Sequence, residues 1–552
     1  MISTGPMAHR LVIVTMMAVV WPAHGHGAED LATLSSQVRR CFEREDPHCA
    51  EPWIKALEEQ APQAAAVAYT RGYQALLAGD FSRASRIMRE VSRNRFVADH
   101  LRRQAVENER LSRAAEKVTA KMRSRRLLGG QVEVWFEPGR DEVMLGPLED
   151  VLVKALPGLK ATFGRAGVGP IRLHIYPKVR QLGLVSGLTE SQIENSGTIA
   201  LCKYNRLMMT SPSALMFGYH WADTVVHELV HYLLIKNAGD RVPVWLHEGL
   251  ARSFEARWRG RSPLAMDSSE QQILVAAAKR GSFVPFSRMS PTMATLPSQQ
   301  VTQLAFAEVH HATAMLLRMA GRRSTDDKVA PAALPSSSTV VVRRLVALFD
   351  QGADEAGVVE DLVGRPRAVF LKLWRRQLKH DAKKVWSSSS RPQRRRLLFK
   401  RSKGKRARDD GLGTRARNHT ELGDRLLALE RPLAAVIEYR KALNHGAQRS
   451  PLLLSRLSRA LLRLGEVEAA EKRIKQGQKS FPDHGPLLVL YAKLLLAQNR
   501  PKKAIDASRH AQWVNPFDPE VHRVERQAWL RLNDKVKASR ALLRERKVSG
   551  AN

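Results

Sequence analysis

Long apolar runs are scarce in this 552-residue chain. The stretch Leu11–Trp21 is apolar and uncharged, but it is too short to span a bilayer, which takes about 20 residues. No later segment reads as a transmembrane helix. Arg10 precedes the run, no acid lies before it, and Pro22-Ala23-His24-Gly25 places small residues after it. That is the layout of a secretory signal peptide, taken as residues 1–28. The mature chain is therefore expected to be exported, periplasmic or secreted, and not an integral membrane protein. Cysteine is nearly absent, with only Cys41, Cys49 and Cys202. In an oxidising compartment Cys41 and Cys49 are either a local disulfide closing CFEREDPHC or two free thiols. Cys202 follows an apolar run and reads as a buried, inert thiol. Acid is also short, with 54 Asp+Glu against 90 Lys+Arg and a formal net charge of +36. This balance favours anionic partners such as an envelope polymer, lipid or acidic protein. An arginine-rich composition alone produces the same excess. Nucleic acid is disfavoured, because it conflicts with export and no nucleic-acid-binding motif is present. The hydrophobic share of 44% leaves material for real cores, and the length implies three or four domains.

The chain is organised around Trp221–Glu255, which contains His227-Glu228-Leu229-Val230-His231. On a helix, residues four apart share a face. His227 and His231 can then hold one metal ion, with Glu228 beside them to take a proton from water. Val225, Val226, Leu229, Val230, Leu233 and Leu234 give this helix apolar faces, and Asn237-Ala238-Gly239 is a natural stop. A bland helix with two satisfied histidines is the competing reading. The segment Val242–Ala251 (VPVWLHEGLA) reads as a turn and a second helix. Glu248 lies 17 residues after His231, which is room for the chain to end one helix and return. A two-histidine, one-carboxylate zinc site needs such a third ligand and leaves the fourth position to water.

HELVH followed by WLHEGLA resembles the gluzincin zinc peptidases, whose pattern is H-E-x-x-H and then W-L-x-E-G-x-A. The closer resemblance is to bacterial peptidase-MA-like proteins that carry tetratricopeptide repeats. It covers about Gln131 to His380 and is specific over Trp221–Trp258. It implies an exported zinc-dependent metallopeptidase with Zn2+ held by His227, His231 and Glu248, and with Glu228 as general base. Glu255, seven residues past Glu248, matches an acid found in aminopeptidase-type members and is expected to orient a histidine ligand. Thermolysin-like members place Asp four residues past the ligand, where this chain has Arg252. Relatives often carry an oxyanion-stabilising Tyr on a downstream helix. Here Phe306 stands in that region and no Tyr occurs between Tyr232 and Tyr439. His310 and His311 are the substitutes, with packing histidines the alternative. The chain lacks a G-x-M-E-N element for a free amine, so an endopeptidase is expected.

Around this core, residues 29–128 read as helical and tetratricopeptide-like, with a turn at Gly79-Asp80 and a long helix over about 98–125. Residues 129–380 form the peptidase-like domain. Strands are expected at Gln131–Phe136, Ile171–Tyr176, Thr198–Leu201 and Leu207–Thr210. A helix is expected over Asp141–Phe163 with a break near Pro157, and another over Gln303–Met319. Thr198–Leu201 is nominated as the edge that aligns a substrate backbone. Residues 381–417 read as a basic flexible linker, because between Arg375 and Arg408 cations face one acid, Asp381. Residues 418–552 repeat. Gly465, Asn499 and Asn533 are 34 apart, as are Ala470, Ala504 and Ala538. That period resembles tetratricopeptide helical hairpins, which stack and can recruit a protein partner. The fold class is thus α+β, a gluzincin-like domain flanked by all-α helical-hairpin domains. The rival reading is a non-catalytic tetratricopeptide scaffold with a vestigial peptidase fold and a polyanion-binding linker.

Overall fold

The computed structural model describes residues 26–323, 334–386, 397–400, 412–447 and 450–550. Residues 1–25 of the expected signal peptide and most of the expected basic linker lie outside them; its last three residues, 26–28, are in the first helix. The chain is mainly helical with one small sheet, and it falls into two compact units. One comprises Met1–Glu137, Val151–Thr210 and Asp223–Pro392; the other comprises Pro138–Asp150, Ser211–Ala222 and Gln393–Asn552. Among the described residues no helix is long and apolar enough to cross a membrane.

The first unit opens with five helices: α1 (His26–Glu43), α2 (Pro47–Gln60), α3 (Ala65–Ala78), α4 (Phe81–Arg93) and α5 (Asp99–Thr119). A disulfide joins Cys41 to Cys49 across the α1–α2 turn, which decides between the two readings of that pair. The α3–α4 turn forms as its residues dictate. Gly79 takes the left-handed conformation at φ 81°, and the Asp80 side chain accepts the Arg83 amide.

A five-stranded sheet follows in the order β1-β2-β3-β5-β4. The strands are β1 (Arg123–Leu127), β2 (Val132–Phe136), β3 (Ile171–Tyr176), β4 (Ala200–Cys202) and β5 (Leu207–Thr210). The three central strands are parallel, with Val132 opposite Ile171 and Leu173 opposite Leu207. Both edge strands are antiparallel. Strand β1 stands where the sequence suggests the end of a helix. Its residues, RSRRL, show no apolar alternation because four of the five are exposed. A short, charged edge strand is how sheets protect an open edge. Between β2 and β3, helix α6 (Leu145–Phe163) runs through Pro157 without the expected break. Helices α7 (Val179–Ser186) and α8 (Glu190–Ser196) lead into β4.

The motif helix is α9 (Trp221–Ala238), followed by α10 (Val244–Phe254), α11 (Ser268–Arg280) and α12 (Gln299–Arg323). Helices α13 (Leu334–Asp350), α14 (Glu355–Val363) and α15 (Arg367–His380) follow these. In α9, Val225, Val226, Leu229, Val230, Leu233 and Leu234 are all buried. An apolar helix of this kind is stable only inside a core.

The second unit is built mainly of helical hairpins: α16 (Thr414–Ala428) with α17 (Pro432–Ala442), α18 (Pro451–Arg463) with α19 (Val467–Ser480), α20 (Gly485–Ala497) with α21 (Pro501–Val514), and α22 (Pro519–Arg531) with α23 (Lys535–Ser549). The last three pairs begin 34 residues apart. Gly465, Asn499 and Asn533 all take positive φ at their turns, a conformation that Gly and Asn adopt at low cost. Ala470, Ala504 and Ala538 are all buried.

Candidate metal centre

Two helices meet to build the site. On α9 the four-residue spacing puts His227 and His231 side by side, with ring centroids 4.7 Å apart. Helix α10 presents Glu248 to them and is anchored at both ends of its motif. Trp245 is buried, stacks on Phe286 at 5.0 Å, and donates its Nε1 hydrogen to Glu355 at 2.7 Å. Gly249 lies against α12 so closely that a Cβ would stand 2.7 Å from the Val309 carbonyl oxygen.

Glu248 Oε2 lies 3.3 Å from His227 Nε2 and 3.4 Å from His231 Nε2. That oxygen is buried and makes no hydrogen bond. Zinc–nitrogen and zinc–oxygen bonds of about 2.0–2.1 Å at tetrahedral angles place ligand atoms about 3.4 Å apart. The three atoms therefore have the separations of a tetrahedral donor set. Electrostatics agree that the pocket favours positive charge. Burial disfavours a charged His227, yet the nearby Glu248 carboxylate and the bond to Glu255 push its pKa up to about 10. Burial alone would raise Glu248, but His231 and His227 hold it well below the usual carboxylate range. Glu228 differs. Burial raises its pKa against the pull of His231 and His227, and its Oε2 is also buried without a hydrogen bond.

Each histidine has a partner on its other nitrogen. His227 Nδ1 lies 2.9 Å from Glu255 Oε2. His231 Nδ1 faces His247 Nδ1, with the two rings stacked 4.6 Å apart. Burial drives the His247 pKa down to about 3, so that ring is neutral and its Nδ1 can accept from His231. Both α9 histidines thus turn Nε2 toward Glu248, the orientation that outer partners give a ligand ring. Arg252 then links Glu255, at 2.6 Å, to Glu270, at 2.9 Å. His310 Nδ1 closes the chain on Glu270 at 3.0 Å.

Of the residues singled out from the sequence, the structure brings His227, Glu228, His231, Glu248 and Glu255 together. It does not bring His310 or His311 to them. His310 is turned to Glu270, while His311 bonds Asp381 at 3.1 Å and accepts the Trp374 indole hydrogen at 3.0 Å. Both are buried and neither lines the cavity. His247 and Arg252 are parts of the site that the sequence does not announce. His247 is next to Glu248 and Arg252 is three residues before Glu255, and no period distinguishes such neighbours from packing. Phe306 does reach the site, edge-on to His227 at 6.1 Å.

A cavity of about 380 Å³ opens onto these side chains. Strand β4 borders it through Ala200, Leu201 and Cys202, as do His227, His231 and Glu248. Among the described residues β4 pairs with β5 alone. The Cys202 thiol is pushed well up by burial, which keeps it protonated and a poor nucleophile.

No family model matches the chain, and no curated protein matches it. Among solved structures, a thermophilic TPR protein of Thermus thermophilus is 23% identical over 24% of this chain and 74% of its own, with a TM-score of 0.23. MamA from Desulfovibrio magneticus is 19% identical over 25% of this chain and 77% of its own, with a TM-score of 0.23. Native leukotriene A4 hydrolase from Saccharomyces cerevisiae is 12% identical over 78% of this chain and 67% of its own, with a TM-score of 0.31. At these TM-scores the likenesses carry no functional weight.

Proposed function

We propose that this protein is an exported zinc metallopeptidase. The carrying observation is the Glu248 oxygen, buried, without a hydrogen bond, and 3.3–3.4 Å from both histidine Nε2 atoms. His227, His231 and Glu248 would hold the ion, and Glu255 and His247 would keep the two rings oriented. Zinc at such a site supplies Lewis acidity and lowers the pKa of a water. Glu228, poised beside the pair with its pKa raised, accepts a proton from the attacking water and returns it to the leaving amine. An extended peptide can add to the open edge of β4 and pass its carbonyl before Glu228. Nothing in that edge calls for a free terminus, which favours cleavage within a chain. The helical hairpins recruit a protein partner or substrate, and the basic linker is suited to an anionic envelope polymer or lipid.

Replacing Glu228 tests this reading. Glu228→Gln keeps the size and removes the basic oxygen. The variant is expected to bind zinc and melt like the wild type, while hydrolysis of its proper substrate falls by two to four orders of magnitude, about what a positioned base contributes. Three readings on one preparation are needed: bound zinc, melting temperature and turnover. A folded, zinc-loaded variant with wild-type turnover would remove Glu228 as the base.

A further inference from the structure

A second group of metal-type donors lies in the other unit. His220, Asp483 and His510 bring two imidazoles and a carboxylate together, with the ligand atoms within 4.8 Å of one another. His510 Nε2 stands 3.5 Å from Asp483 Oδ1. This nitrogen is buried and makes no hydrogen bond. The His220 and His510 ring centroids are 5.9 Å apart, and the Trp513 ring lies 5.9–6.4 Å from both.

The three residues come from far apart in sequence, yet the backbone holds them firmly. His220 lies near the end of the segment Ser211–Ala222, which groups with the repeats. On one side of it the Tyr219 amide donates to the Val514 carbonyl at 3.1 Å. On the other, Trp221 Nε1 donates to the Gln512 carbonyl at 2.7 Å. Gly218 passes so close that a Cβ would meet the Val514 oxygen at 2.3 Å. Its φ of +70° independently calls for glycine. His220 is therefore pinned over α21, which carries His510, while Asp483 comes from the loop before α20.

We propose that His220, Asp483 and His510 form a second metal site, which takes a divalent ion of the zinc type. Two imidazoles and one carboxylate suit zinc, copper or nickel, whereas calcium and magnesium prefer all-oxygen sites. The His510–Asp483 separation already matches the spacing of about 3.4 Å between tetrahedral zinc ligands. Bound there, an ion ties the segment that precedes α9 to the repeat hairpins. It has no part in hydrolysis, and the proposal does not depend on the catalytic reading.

The test uses the full chain, stripped of metal and dialysed against buffered zinc, with bound zinc counted by atomic emission. Wild type is expected to hold two equivalents. His231→Ala/Glu248→Ala, which dismantles the first site, should keep one, and adding His510→Ala should leave none. In that same double variant, cobalt should quench part of the tryptophan fluorescence, and Trp513→Phe should abolish the quenching. Asp483→Asn, the gentlest change, should weaken this second equivalent at least tenfold while leaving the metal-free melt unchanged. The proposal is overturned if His231→Ala/Glu248→Ala binds no zinc, or if adding His510→Ala leaves its zinc in place. Should zinc be lost with His510→Ala alone but not with His231→Ala/Glu248→Ala, the second site stands and the catalytic one falls.

Discussion

Gly249 shows what one residue contributes to the centre. It follows Glu248 directly, and α10 rests on α12 at that point. A Cβ there would meet Thr313 Oγ1 at 2.0 Å and the Val309 carbonyl oxygen at 2.7 Å. The hydroxyl can rotate away, but the carbonyl belongs to helix backbone and cannot. Gly249→Ala must therefore push α10 outward, and Glu248 with it. Forcing extra volume into a packed contact costs about 1–3 kcal/mol. The variant should melt several degrees lower and bind zinc more weakly than wild type, both measurable by calorimetry and zinc titration. Unchanged zinc affinity would mean that Glu248 tolerates a shifted helix or is not a ligand. The five residues that converge on the cavity were legible because two histidines at helical spacing have few other reasons to sit beside a carboxylate. His247 was not. One residue from Glu248 on a helix, it should face elsewhere, and only the close approach of α9 lets its ring meet His231.

Elements were legible in proportion to their regularity. The parallel strands β2, β3 and β5 carry apolar residues that are buried. The charged edge β1 has no such pattern, and its sequence reads as helix. The repeats were plainest, because the same turn chemistry returns every 34 residues. That regularity exposes an exception. In the first hairpin the positive-φ position is Glu430, at 55°, where the later turns use Gly465, Asn499 and Asn533. A side chain without a short polar end is disfavoured in this conformation by roughly 1 kcal/mol. The pairing of Glu430 with Arg463 offsets little of it, since Glu430 is largely exposed. Glu430→Asn, which copies the sister turns, should raise stability by about 0.5–1 kcal/mol. Denaturant unfolding of the full chain, following the transition of the repeat unit, measures this. A loss of that size would show that the ion pair outweighs the backbone.

The chain's division into units was the least legible level. Sequence periodicity marks where the hairpins lie, but it cannot show that Pro138–Asp150 and Ser211–Ala222 pack with them. Those contacts join positions hundreds of residues apart and repeat nothing. They bear on whether the repeats stand alone. In a stack of hairpins each unit is stabilised by its neighbours, so the array should fold without the rest of the chain. Its own apolar clusters support this. Leu453, Leu454, Leu457 and Leu461 of α18 pack with Val436 and Tyr439 of α17, and Ala492 and Leu495 of α20 pack with Val524 and Ala528 of α22. What a fragment of residues 412–550 would lose is the cover over α21. The Trp221 indole would no longer meet the Gln512 carbonyl, and the Tyr219 amide would leave that of Val514. Both carbonyls can bond water instead, so the loss is chiefly of buried apolar surface around Trp221. The fragment is therefore expected to show a helical circular dichroism spectrum and a cooperative melt, at a lower temperature than the corresponding transition of the intact chain. Joining Ser211–Ala222 back through a flexible linker should recover part of the difference. A fragment that is unfolded at room temperature would show that the hairpins depend on the two inserted segments for their fold and not merely for added stability.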